Sequence, residues 1–318
     1  MKFIIISDTH ISAKPDAKPF LWWHKNLVPE SAKICRLAVQ DINRMKPDFV
    51  IHCGDLVNSS YDDSSVELTR DIFRELDCPF YFVPGNHDCY KKGDRARMNE
   101  LFGLEGGDVL YRVIELEETL LLFLDGAYWE SLEAEYKDYL DRDDMIKAYE
   151  KSGFTGSGAG LCFPEEEITW IETVLRQNRN KTVFVFVHVG FRGRGIYETS
   201  KGQDGKPLSE PPLKMDSGYK TSEKVFKILQ EAGNVKAIFS GHLHWNECYI
   251  QNGILHCWTD GLIQYPCEMR LIKLSQNSLS GKMVQLSDPS FAKRSFVEDS
   301  DAAFIAGRPE DREFRLTW

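Results

Sequence analysis

Five short apolar runs punctuate the first 240 residues, at 2–7, 48–53, 80–83, 182–187 and 235–239. Each is rich in Ile, Val and Phe and too continuous for a half-exposed strand, so each predicts a strand buried on both faces. Between them the hydrophobic period lengthens. Ile34, Leu37, Ala38, Ile42 and Met45 share one helical face that Pro47 ends. Further helices are predicted around 65–76, at 164–177 with Pro164 in the first turn, and near 221–232. Strand, helix, strand, helix, strand from residue 2 to residue 83 implies parallel connections, because such crossovers need a helix between strands. Residues 110–115 and 119–125 flank a turn and predict a hairpin, and three or four more strands carry the core to about 286. Residues 130–150 are charged and helical in character, 153–160 form a glycine-rich loop, and 190–220 read as loop. No repeat is present. The tail from 287 carries Phe291, Phe296, Phe304, Phe314 and Trp318, too many aromatics for a disordered segment. It is expected to pack on the core or on a second subunit of a homodimer.

Composition narrows the function classes. A chain of 318 residues, 42% hydrophobic and 28% charged, buries a sizeable core unaided. Its 23 glycines and 13 prolines exclude collagenous and low-complexity classes. With 39 basic and 49 acidic residues the net charge is −10, which argues against broad nucleic-acid binding through phosphate neutralisation. A phosphate could still be bound if metal ions supplied the positive charge. No stretch approaches the roughly 18–20 apolar residues of a membrane span, and the apolar start is too short for a signal peptide. The eight cysteines lack any Cys-x-x-Cys pair and read as free or buried thiols in a reducing cytoplasm.

The chemistry gathers where the buried runs end. The first ends in Asp8-Thr9-His10, the second in Gly54-Asp55, the third in Gly85-Asn86-His87-Asp88, the fourth in His188, and the fifth in Ser240-Gly241-His242-Leu243-His244. In open α/β sheets the loops beyond the carboxyl ends of strands converge on one crevice. Each piece alone is weak: Gly54-Asp55 suits a tight turn, and His188 suits a hydrogen-bonded loop histidine. Together they place five of the eight histidines at strand ends, which chance does not explain. Imidazole, carboxylate and amide ligands suit Zn, Fe or Mn. The donors exceed what one tetrahedral ion takes, so two ions are expected, with one carboxylate bridging them and a water acidified between them.

These five motifs, in this order, resemble the signature of the calcineurin-like metallophosphoesterases, and the resemblance runs from residue 2 to about 260. It implies a four-layer α/β/β/α sandwich of two mixed sheets flanked by helices, with a catalytic domain over 1–286, insertions at about 126–160 and 190–220, and a C-terminal extension over 287–318. It implies that Asp8, His10, Asp55 and His244 hold one ion and Asp55, Asn86, His188 and His242 the other, with Asp55 as the bridge. His87 is implied as the group beside the phosphate that protonates the leaving oxygen, with Asp88 as the acceptor that orients it. Gly-Asn-His-Asp, ending in Asp where many serine/threonine phosphatases of the family carry Glu, is similar to the class III branch of cyclic-nucleotide and glycerophosphodiester phosphodiesterases. His188 lacks the proline that many members carry two residues later.

The implied function is hydrolysis of a small phosphodiester by metal-activated hydroxide. A phosphomonoesterase, including a protein phosphatase, and a nucleoside-diphosphate-type pyrophosphatase are the alternatives on the same scaffold. A scaffold protein that had lost its metals would lack several ligand residues, and here every position is filled. Arg192 and Arg194, close after His188, are candidates to fork a phosphate oxygen or are solvated loop charges. Tyr128, Trp129 and Phe191 could stack on a substrate or pack. Trp22, Trp23 and His24 read first as packing.

Overall fold

The computed structural model describes residues 1–14, 25–130, 136–137, 161–191, 221–296 and 305–318. In chain order the strands of the first half are β1 (Lys2–Ile6), β2 (Phe49–His52), β3 (Phe80–Phe82), β4 (Arg112–Leu116), β5 (Thr119–Phe123), β6 (Tyr128–Glu130) and β7 (Tyr136–Lys137). Those of the second half are β8 (Leu161–Cys162), β9 (Thr182–Phe186), β10 (Val235–Ser240), β11 (Glu247–Gln251), β12 (Ile254–Trp258), β13 (Glu268–Ser275), β14 (Ser278–Gln285) and β15 (Glu313–Thr317). The helices are α1 (Ser31–Met45), α2 (Asp63–Phe73), α3 (Asp94–Phe102), α4 (Glu165–Gln177), α5 (Ser222–Ala232), α6 (Ser290–Ser295) and α7 (Pro309–Arg312).

Two six-stranded sheets form, ordered β15-β14-β13-β1-β2-β3 and β11-β12-β10-β9-β5-β4, with a small third sheet β7-β6-β8. Both large sheets are mixed. β1, β2 and β3 run parallel while β13, β14 and β15 pair antiparallel. In the second sheet β5, β9, β10 and β12 are parallel, flanked by antiparallel β4 and β11.

The two-residue period of a strand explains the layering. Phe3 and Ile5 of β1 face one way and cluster with Phe184, Phe186 and Phe239 of the second sheet. Ile4 and Ile6 face the other way and pack under Ile34, Ala38 and Ile42 of α1. Val183 and Val185 of β9 likewise turn outward beneath Ile168 and Ile171 of α4 and Val225 and Leu229 of α5. A strand covered on both faces has no solvent side, hence the unbroken apolar runs. The architecture is the expected α/β/β/α sandwich.

α1 ends at Lys46, whose left-handed φ of 51° caps the helix just before Pro47. Past residue 286 the chain supplies the edge strand of the first sheet: β15 pairs with β14, and Phe314 and Trp318 pack against the inter-sheet core. Trp22, Trp23, His24, Arg192, Arg194, Phe304 and most of the segments 126–160 and 190–220 lie outside the described residues. Among the described residues no helix is long and apolar enough to cross a membrane.

Candidate metal centre

The parallel strands of both sheets end at the same edge, and the loops that follow them carry the polar residues. Asp8 lies two residues past β1, Asp55 three past β2, Asn86 four past β3, His188 two past β9 and His242 two past β10. The loops are cross-braced by backbone bonds, Asp8 N–H to Gly54 O at 3.0 Å, His10 N–H to Asp55 O at 3.0 Å and Gly241 N–H to His188 O at 2.9 Å. Asp8, His10, Asp55, His242 and His244 all hold left-handed backbone, with φ between 38° and 69°. A non-glycine residue there costs on the order of 1–3 kcal/mol, and strain repeated at five polar residues of one crevice marks a site the fold is built to hold.

Glycines make the approach possible. A Cβ at Gly241 would stand 1.9 Å from Ser7 Oγ and 2.5 Å from Asp8 Oδ2, and one at Gly85 would stand 2.2 Å from Asp55 Oδ1.

Two donor clusters result. Asp8, His10, Asp55 and His244 bring ligand atoms within 4.8 Å of one another, and so do Asp55, His188 and His242. Asp55 belongs to both. Its Oδ2 lies 3.6 Å from His10 Nε2 and 3.4 Å from His188 Nε2, while its Oδ1 accepts the His87 amide at 2.8 Å. Asn86 Oδ1 completes the second cluster, 3.2 Å from His188 Nε2 and 3.1 Å from His242 Nδ1. Six of these seven residues are buried and His242 is half-buried.

Bonds on the outer side settle which nitrogen faces inward. His188 Nδ1 donates to the Cys53 carbonyl at 2.7 Å, and His244 Nδ1 donates to Gln264 Oε1 at 2.7 Å. Each turns its Nε2 toward the crevice, the arrangement of a metal-ligating histidine. Asp8 Oδ2 accepts the Ser7 hydroxyl and the His242 amide. Its Oδ1 is buried without a hydrogen-bond partner, as is His10 Nδ1. A buried carboxylate oxygen that faces the Nε2 atoms of His244 at 3.0 Å and His10 at 3.8 Å fits a cation shared among them. The donor set, mixed N and O with a shared carboxylate, fits two transition-metal ions.

The electrostatics agree. Burial pushes the Asp8 and Asp55 carboxyls up, but the neighbouring His244 and His188 outweigh it and both are held below the usual carboxylate range. Burial opposes charge on His188, yet Asp55 beside it lifts that imidazole to about 9.

One expected role is corrected. Asp88 does not orient His87: its carboxylate receives the amides of Val57 at 3.0 Å and Gly85 at 2.8 Å, tying the second and third loops together. His87 Nδ1 instead donates to the Asn58 carbonyl at 2.7 Å. The ring stands edge-on to His10, with centroids 4.8 Å apart. Phe191 is buried between Phe163 and Phe226 and is core. Tyr128 lies under the Arg95 guanidinium. Trp129 joins Tyr90 and Tyr61 in an aromatic row whose middle ring is 5.6 Å from His87.

Gln264, Asn58 and Lys25 were not marked by sequence. Gln264 had a usable signal, since β12 is parallel to β10 and its following loop must open at the same edge. Asn58 acts through its carbonyl, which has no signature. Lys25, whose ammonium lies 2.9 Å from His87 Nε2, sits in the long β1–α1 loop with nothing local to distinguish it.

Residues 1–246 match the sequence model of the calcineurin-like phosphoesterases. A probable glycerophosphodiester phosphodiesterase of Arcobacter nitrofigilis is 24% identical over 261 residues, covering 79% of this chain and 76% of that protein. A serine/threonine-protein phosphatase of Danio rerio is 26% identical over 236 residues, covering 71% of this chain and 63% of that protein. Among solved structures, a dimetal phosphatase from Danio rerio superposes with a TM-score of 0.67 at 16% identity, over 90% of this chain and 97% of that one.

Proposed function

The chain belongs to the calcineurin-like phosphoesterases and is a metal-dependent hydrolase of phosphoric esters; from that premise we propose that its substrate is a small phosphodiester of the cyclic-nucleotide or glycerophosphodiester kind. Asp8, His10, Asp55 and His244 would hold one ion, and Asp55, Asn86, His188 and His242 the other, with Mn, Fe or Zn matching the donors. Ions held there supply Lewis acidity at the phosphoryl oxygens and lower the pKa of a water.

The chain's own residues do the rest. Asp55 sets the spacing by offering Oδ2 to both clusters while the His87 amide pins its Oδ1. Cys53 and Gln264 fix the tautomers of His188 and His244. His87 is locked at the rim by the Asn58 carbonyl, so its ring plane is set before a substrate arrives.

The observation that carries the diester reading is the short acid closing Gly85-Asn86-His87-Asp88. The Asp88 carboxylate meets two backbone amides at once, and a glutamate, one methylene longer, would overshoot them. The Arcobacter nitrofigilis relative, a probable glycerophosphodiester phosphodiesterase, supports the same branch. The Danio rerio relative, a protein phosphatase, favours the monoester alternative.

The test compares bis(p-nitrophenyl) phosphate with p-nitrophenyl phosphate, with Mn²⁺ and with chelator. Faster, chelator-sensitive diester cleavage supports the proposal. A monoester preference overturns it in favour of the phosphatase reading.

A further inference from the structure

Both ring nitrogens of His87 are already committed. The Asn58 carbonyl can only accept, so Nδ1, 2.7 Å away, carries the hydrogen. The Lys25 ammonium can only donate, so Nε2, 2.9 Å away, carries the lone pair. In this arrangement the ring is neutral and offers no proton to a leaving group. The proton-bearing group at the rim is Lys25.

Lys25 is unusual for a lysine. It is 7% exposed, where lysine is rarely buried unless paired. Its backbone is left-handed, with φ 58°, and its amide donates at 3.0 Å to Gln264 Oε1, the oxygen that also fixes His244. The backbone of Lys25 is thus anchored to the metal centre's own support. An ammonium has three donors. Among the described residues, His87 is the one hydrogen-bond partner of Nζ, and no carboxylate lies within ion-pair distance of it. The charges acting on it, Asp55, Asp8 and Asp88, do so from further away. Among the described residues this leaves a buried cation two donors to spare, which calls for an anion.

We propose that Lys25 and His87 form a phosphate-oxygen subsite beside the metal centre. The Lys25 ammonium donates hydrogen bonds to an oxygen of the bound phosphoester and supplies fixed positive charge on that side. His87 is a positioning residue that accepts one ammonium hydrogen and so aims the other two. The proposal rests on the centre being a phosphoesterase site, and it gives the carry-over role of His87, contact with the phosphate, to its lysine neighbour.

The experiment titrates inorganic phosphate into the Mn-loaded full-length protein by calorimetry. It uses wild type, Lys25→Met, Lys25→Gln and Lys25→Arg, with metal content and diester kinetics measured on each. A charge-assisted hydrogen bond predicts about 10–100-fold weaker phosphate binding in Lys25→Met, with metal content unchanged and substantial recovery in Lys25→Arg. Should the methionine variant not fold, the glutamine variant, which is one atom shorter and uncharged but keeps a polar end, decides on the same readings. Phosphate affinity within twofold of wild type overturns the proposal. So does loss of metal in a folded variant, which would make Lys25 a brace for His244. If wild type cleaves no phosphoester, the substrate reading fails while the phosphate titration still decides the role of Lys25.

Discussion

The Gln264 side-chain oxygen accepts a hydrogen bond from His244 Nδ1 at 2.7 Å, and the same side chain returns its amide to the His244 carbonyl at 2.9 Å. One residue therefore fixes both the ring and the backbone of a metal-ligand candidate that sits in left-handed conformation.

Gln264→Leu keeps the volume and removes both bonds. The expected result is a folded protein whose affinity for the ion at Asp8, His10 and His244 falls about 10–100-fold, the usual worth of such an outer partner. Metal titration followed by calorimetry checks this, and unaltered affinity at that position would show that His244 is oriented by packing alone.

Asp55→Ala should empty both positions, because Asp55 is the one carboxylate shared by the two clusters. Elemental analysis after gel filtration should find less than one ion per chain, with diester turnover at background. Two retained ions would sink the bridge assignment.

The ligand candidates were legible because each follows a strand buried on both faces. Such strands show as unbroken apolar runs, and their carboxyl ends converge by the rules of open sheets. What the chain does next to those residues was less legible. The resemblance implied that Asp88 orients the His87 ring, but the loop turns its carboxylate onto the Val57 and Gly85 amides. The ring is held by a main-chain oxygen, and every residue has one. Lys25 reaches His87 across 62 positions of sequence, through a loop whose path no local pattern announces. Phe191 was open to stacking on a substrate or to packing, and it packs into the α4–α5 side of the core.

Gly241 lies between β10 and His242, where the loops after β1 and β2 press against it. Gly241→Ala would put a methyl group 1.9 Å from Ser7 Oγ, 2.5 Å from Asp8 Oδ2 and 2.9 Å from the Cys53 carbonyl. None of these can retreat without moving a ligand or its support. The predicted cost is about 1–3 kcal/mol of stability, as for other overpacked sites, together with loss of metal. Chemical denaturation and metal analysis of the variant test both, and a variant with wild-type midpoint and two ions would show the loops to be adaptable.

Glu247 begins β11, shortly after His244 in sequence, and is buried, which pushes its carboxyl up to about 7 from an ordinary value of 4.5. A raised carboxyl keeps in the folded state a proton that the unfolded chain releases. Its contribution is therefore fully present below about pH 4.5 and is lost as the pH rises through about 7. Glu247→Gln is neutral at every pH and preserves an acceptor, so the difference between variant and wild type isolates this one ionisation. The two proteins should unfold at similar denaturant concentrations at pH 4.5. At pH 8 the glutamine variant should be more stable by about 3 kcal/mol, the free energy of a shift of that size. Urea unfolding at the two pH values in the same metal buffer decides it; a pH-independent difference would mean that Glu247 is held charged by a partner across the β11 edge.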